Sequence, residues 1–193
     1  MTALILGLLL FLGIHSARIV AEGARSRFIA QRGEGAWKGL YTAVSLIGFG
    51  LIVWGYAQAR RTPIDLWPAQ TSWPRPIAAV LMLLAFVLLA AAYVPANGLK
   101  ARLKHPMLLS VKLWATAHLL ANNSLADVLL FGSFLLWAGL DFRAARQRDR
   151  AANTVYPAGT LVGTAITVSV GAVAWALVAF WAHGAWLGVQ PMG

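Results

Sequence analysis

The chain has 193 residues, 60% of them hydrophobic and 11% charged, with a mean hydropathy of +0.69. The charged share is roughly half that of an average soluble domain, which excludes a water-soluble globule and directs the length into crossings of a bilayer. The net charge is +10, but the basic residues fall in short stretches between apolar segments, a pattern of membrane topology and not of nucleic-acid binding. There is no cysteine, which removes disulfides, thiolate metal sites, iron–sulfur clusters and cysteine nucleophiles together. The acids Glu22, Glu34, Asp65, Asp127, Asp141 and Asp149 are scattered along the chain. Their spacing argues against a carboxylate metal cage or a paired-carboxylate hydrolase.

Six apolar stretches, at about 3–20, 40–57, 77–94, 107–121, 125–140 and 161–182, approach the ~20 residues that span the hydrocarbon as a helix. They are continuously apolar, without the alternation of barrel strands. The expected fold is an all-α polytopic membrane bundle of six helices in one domain. The first stretch has no Lys or Arg before Arg18, unlike a secretory signal, and is read as a retained span. Five basic residues follow span one, three follow span three and four follow span five, against Arg60, Arg61 and Arg75 on the other side. Positive-inside bias then places both termini outside the cytoplasm.

The joints carry turn chemistry. Pro63, Pro68, Pro74 and Pro76 fill the second loop, with Trp67 and Trp73 suited to the interface. Pro95-Ala96-Asn97-Gly98 closes span three. Ser124 followed by Asp127 forms a capping box that starts span five and assigns Asp127 to backbone amides. Gly159 and Gly163 open span six at a spacing that permits close approach.

Ionisable groups inside apolar spans are the natural candidates for function. His15 falls late in span one, and Lys112 and His118 lie in span four, with His105 just before it. His183, at the outer end of span six beside Trp181 and Trp186, reads as an interfacial side chain. At 1.5 Å per residue His15 lies ~8 Å and His118 ~16 Å from the inner surface, which leaves a shared site open alongside two separate structural histidines. Trp114, His118 and Asn122 form one helical stripe. Lys112 can equally snorkel to the surface. Zinc or copper would want more donors than this set supplies. Haem needs only one or two axial ligands, and Arg18, Lys104 or Lys112 could pair with its propionates.

Three runs resemble the NnrU family: Gly13-Ile14-His15-Ser16-Ala17-Arg18-Ile19-Val20, Trp37-Lys38-Gly39-Leu40-Tyr41, and the block from Tyr93 to Arg143. That block includes Lys104-His105-Pro106-Met107 and Val111-Lys112-Leu113-Trp114-Ala115-Thr116-Ala117-His118. The resemblance covers roughly residues 4–150 and is weaker beyond. It implies a bacterial inner-membrane protein associated with denitrification, with nitrite and nitric oxide reductase components as possible partners. A plant relative of the family, the zeta-carotene isomerase, carries haem b on histidine. The resemblance therefore favours haem b, with His15 and His118 as axial ligands and His105 as the alternative second ligand. Arg18, Lys104, Lys112 and Asn122 are the other cofactor-site positions. Lys104-His105-Pro106-Met107 is also similar to the basic-His-Pro motif of the isoprenylcysteine carboxyl methyltransferase superfamily, where a later Glu-Glu pair helps to hold S-adenosylmethionine. Here the corresponding stretch, 141–150, has no such pair. An enzyme acting on a lipophilic substrate and a cofactor-free reductase assembly factor are the alternative readings.

Overall fold

The computed structural model describes residues 1–68 and 73–192, and they form helices. In chain order these are α1 (Thr2–His15), α2 (Ala17–Val20), α3 (Glu22–Ala59), α4 (Pro74–Tyr93), α5 (Gly98–Leu103), α6 (Pro106–Ala121), α7 (Leu125–Ala151), α8 (Leu161–Leu177) and α9 (His183–Leu187). A π-helical turn, Val178–Ala182, joins α8 to α9 in one rod. Among the described residues, four helices are long and apolar enough to cross a membrane: α3, α4, α7 and the α8–α9 rod. The apolar α1 and α6, of 14 and 16 residues, complete the expected six. The chain is a multi-pass membrane protein with an all-α bundle.

The helices follow their sequence signals closely at the span ends. The Ser124–Asp127 capping box forms as expected: the Asp127 amide donates to Ser124 Oγ at 3.2 Å, and Asp127 Oδ2 accepts from the Ser124 amide at 3.0 Å. Asp127 Oδ1 also accepts from the Tyr56 hydroxyl, which ties α7 to α3. Asn97 caps α5, accepting from the Lys100 amide and donating to Ala91 O, so the turn after α4 is closed by a buried side chain.

Elsewhere the helices run further than the apolar stretches. Pro74 and Pro76 lie in the first turn of α4 and do not lie in a loop, because proline lacks only an amide that has no partner there. The basic stretch after span one is helical: α3 starts at Glu22 and breaks at Gly33, whose φ of 85° and ψ of 159° suit glycine alone. Likewise α7 continues some three turns beyond the expected end of span five, carrying Arg143, Arg146, Arg148 and Arg150. Residues 69–72 of the second loop lie outside the described residues.

Packing divides the bundle into two parts. One is the α1–α3 pair, and the other is α4 packed on both α6 and α8, with α6 also against α7. A lighter α1–α7 contact joins them. The α1–α3 seam is built on glycine: a Cβ on Gly7 would fall 2.6 Å from Ile52 N, and one on Gly48 would fall 2.7 Å from Phe11 N. Helix backbones come this close only where small residues face each other. Gly159 and Gly163 do provide the expected close approach, but to the turn at Ala96–Gly98 and not to a helix face. Leu4, Leu8, Ile52, Leu130 and Phe131 make one core cluster, while Leu46, Phe49, Val53, Val80, Leu84, Leu136 and Val170 are exposed. In a bilayer these exposed side chains meet lipid.

The seam yields a direct test. Gly48→Leu overpacks against Phe11 and should destabilise the protein by about 1–3 kcal/mol or more. Gly50→Ala meets nothing within 4 Å and should be neutral or slightly stabilising, since alanine is the better helix former. Thermal unfolding of both variants in detergent checks the pair.

Candidate cofactor site

A cleft of about 630 Å³ opens at the basic end of the bundle, between its two parts. Its size falls within the ~300–1,000 Å³ common for small-molecule and cofactor sites. α1 supplies Ile14 and His15, α3 supplies Trp37 and Tyr41, and α7 supplies Trp137. The Lys104–Leu108 segment closes another side. The walls mix apolar and aromatic rings with cations from Arg18, Arg25, Lys38, Lys100, Lys104 and Arg148, against the acids Glu34 and Asp141. Such a lining suits a flat or apolar body bearing negative groups.

His15 is held firmly. Its ring stacks on Phe11 with centroids 4.2 Å apart, approaches Tyr41 at 4.9 Å and meets Trp137 edge-on at 6.0 Å. Its Nδ1 lies 2.7 Å from Phe11 O, one turn back. A proton on Nδ1 satisfies that carbonyl and leaves Nε2 with a free lone pair, the disposition of a metal-ligating imidazole. Beside it, Trp137 Nε1 is buried with no hydrogen-bond partner among the described residues. An unpaired buried donor is costly, and a ligand oxygen would satisfy it.

His105 reaches the same cleft by a different device. Lys104, with φ 67° and ψ −50°, is the centre of a tight turn in which the His105 amide donates to Leu103 O at 2.8 Å. This is the strained hand of the γ-turn, and it sets His105 immediately before α6. His105 Nε2 lies 2.8 Å from Asp149 Oδ2, which also accepts from the Tyr156 hydroxyl at 3.0 Å. An Nε2 proton directed at Asp149 leaves Nδ1 free. Partial burial pushes the Asp149 carboxyl up, but the hydrogen bonds from Tyr156 and His105, with the charge on Lys104, outweigh it and hold the carboxyl below its usual range.

The cleft brings together His15, Arg18, Lys104 and His105, and its lining leaves out Lys112, His118 and Asn122. His118 stacks on Phe131 at 4.4 Å, with Nδ1 2.8 Å from Trp114 O, while Asn122 donates to His118 O at 2.8 Å. The path from His15 to His118 runs through successive ring contacts, Phe11 to Phe134 at 5.8 Å, Phe134 to Trp114 at 5.5 Å and Trp114 to His118 at 5.4 Å. Aromatic packing, and not the cleft, therefore occupies the space between the two histidines. Lys112 lies over Phe142, 5.4 Å from the ring centroid. Sequence reasoning missed Trp137, Tyr41, Asp149 and Tyr156. Asp149 lies in the arginine-rich stretch that the sequence uses for topology, and Tyr156 lies in the uncharged segment after it, with no motif around either. Among the described residues no group of three or more His, Cys, Asp or Glu side chains could hold a bare metal ion.

A multi-pass helix bundle with an aromatic, cation-rimmed cleft at its basic end is the class that fold and site define. The chain belongs to the NnrU family: the family model, described as NnrU protein, matches residues 3–191. The match takes in the last forty residues, which the motifs alone leave aside. No curated protein and no solved structure matches the chain significantly.

The Asp149 contacts predict a pH effect. A carboxyl whose native pKa is lowered adds stability that is complete above its unfolded value, near 3.8, and is lost as pH falls through the lower native value. Tyr156→Phe removes one of the lowering hydrogen bonds. The acid limb of a thermal-stability profile should therefore move to higher pH in this variant, whereas an unmoved limb would leave Tyr156 without a part in setting Asp149.

Proposed function

We propose that the protein binds haem b in the basic-end cleft, where His15 would hold it through Nε2. It would serve denitrification in a bacterial inner membrane, supporting nitrite and nitric oxide reductase activity. The observation that carries this reading is His15 itself: an imidazole in the cleft wall, oriented by Phe11 O, with one nitrogen free. The donor set fits the group, because a porphyrin brings four nitrogens and asks the protein for one or two. Arg18 and Lys104 are placed in the same walls to pair with carboxylates, and Trp137 offers an N–H. His105 is the second imidazole of the cleft, and its bond to Asp149 resembles the carboxylate–histidine arrangement that steadies metal ligands. It therefore stands ahead of His118 as a second ligand. When bound, the group would supply one-electron chemistry and affinity for small gases such as nitric oxide.

A second reading rests on the same dyad. An imidazole oriented by a carboxylate in an apolar-walled cleft is an arrangement for general acid–base work on a lipophilic substrate. In that case Asp149 and Tyr156 fix the ring, and the cations bind the polar end of the substrate.

Absorption spectra of detergent-purified protein, oxidised and then dithionite-reduced, test the proposal. Wild type should show a Soret band with sharp reduced α and β bands. His15→Ala should abolish them, His105→Ala should broaden or shift them, and His118→Ala should leave them within about twofold in intensity. Wild-type protein lacking haem after haem-supplemented expression would sink the cofactor reading. Loss confined to His118→Ala would move the site out of the cleft.

A further inference from the structure

Beside the cleft, between α6, the arginine-rich extension of α7 and the segment that follows it, three cations gather on two aromatic rings. Lys112 Nζ and Arg146 Cζ lie 5.4 and 5.8 Å from the Phe142 centroid, and Lys104 Nζ lies 5.7 Å from the Tyr156 centroid. His105 meets both rings edge-on, each at 6.1 Å. All of these side chains are half-buried.

Four cations of this end have carboxylates: Arg18 and Arg25 share Glu22, Lys38 has Glu34, and Arg148 has Asp141. Arg27, Arg32, Lys100, Arg102, Arg143 and Arg150 have none among the described residues, but they are exposed to solvent, unlike the half-buried trio. Lys104, Lys112 and Arg146 have none within ion-pair distance among the described residues. Asp149 is close to Lys104, but its carboxylate already accepts from His105 and Tyr156. The cluster thus keeps at least two positive charges beyond its one carboxylate. Ring faces attract cations by only ~0.5–2 kcal/mol and carry no net charge. Partly desolvated charges of one sign call for a counter-anion. Lys112 is the seventh residue of α6, about 9 Å along the helix from Pro106, so it lies below the basic surface within reach of lipid headgroups.

We propose that Lys104, Lys112 and Arg146 form a binding site for a phosphate group, that of an anionic phospholipid headgroup at the cytoplasmic leaflet. Basic pockets between helices on the cytoplasmic side are suited to such headgroups. The two rings that carry the three cations both meet His105, which gathers the cations around one imidazole, where one phosphate would replace several waters. The site shares Lys104 with the cleft but depends on Lys112 and Arg146, which do not line it, so it stands whether or not His15 ligates iron.

Full-length protein, washed free of lipid in detergent, is titrated with dioleoyl phosphatidylglycerol, dioleoyl phosphatidylcholine or sodium phosphate at matched ionic strength. Thermal unfolding and native mass spectrometry report binding. We expect one phosphatidylglycerol retained per chain, with affinity reduced at least tenfold in K112Q/R146Q. R102Q/R143Q removes the same charge from exposed positions and should change affinity less than twofold. Should K112Q/R146Q fail to fold, Arg146→Gln alone is measured instead, with a three- to tenfold loss expected. Stabilisation by phosphatidylglycerol alone assigns the phosphate to lipid. Equal stabilisation by sodium phosphate keeps the site and assigns it to free phosphate. Equal binding of phosphatidylcholine, equal loss in both double variants, or no binding of either phosphate source would overturn the proposal.

Discussion

The contact between α1 and α3 sets the position of much else in this bundle. Gly7 and Gly48 remove the side chains that would hold the two backbones apart, and Gly55 comes close to the backbone at Leu4. Without those side chains the helices lie together over most of α1, although that helix has only 14 residues. In lipid, where apolar side chains gain nothing by leaving the solvent, such close packing is a main source of helix association. Its consequence at the basic end is chemical. With α1 fixed on α3, the last turn of α1 brings His15 between Phe11 and Tyr41, and the cleft wall follows from that placement.

Much of the architecture is legible in the sequence alone, because lipid makes hydropathy a direct readout of spans. Six apolar helices, the Ser124–Asp127 box, the Asn97 turn and the close approach of Gly159 and Gly163 all depend on local chemistry. What could not be read depends on partners distant in sequence or on helices too charged to register as spans. The arm of α3 before Gly33 and the end of α7 are helical yet rich in arginine, so an apolar count ends too early. The site was legible only in part for the same reason. Residue counting gives the depths of His15 and His118, but not which rings stand between them. Asp149 reads as one more charge in a basic run, and only the fold brings it 2.8 Å from His105.

At the basic end the few acids Glu22, Glu34, Asp141 and Asp149 are all engaged by cations or hydrogen-bond donors. Glu22 serves Arg18 and Arg25, Asp141 serves Arg148, and Asp149 accepts from His105 and Tyr156. The aromatic rings of Phe142 and Tyr156 take up some of the remainder, as ring faces do for cations that no carboxylate can reach. This arrangement keeps the end strongly positive while orienting its side chains.

The γ-turn at Lys104 bears on how the protein would respond to selection. A positive φ at a residue with a Cβ costs on the order of 1–3 kcal/mol, and glycine would relieve it. The chain instead keeps a lysine there, one whose ammonium group rests over Tyr156 and lines the cleft. Position 104 is therefore a point where thermodynamic stability and the positive charge of the cleft wall pull apart. A search for hardened variants would tend to select glycine at this position, and each such variant would give up the cation while leaving the fold intact.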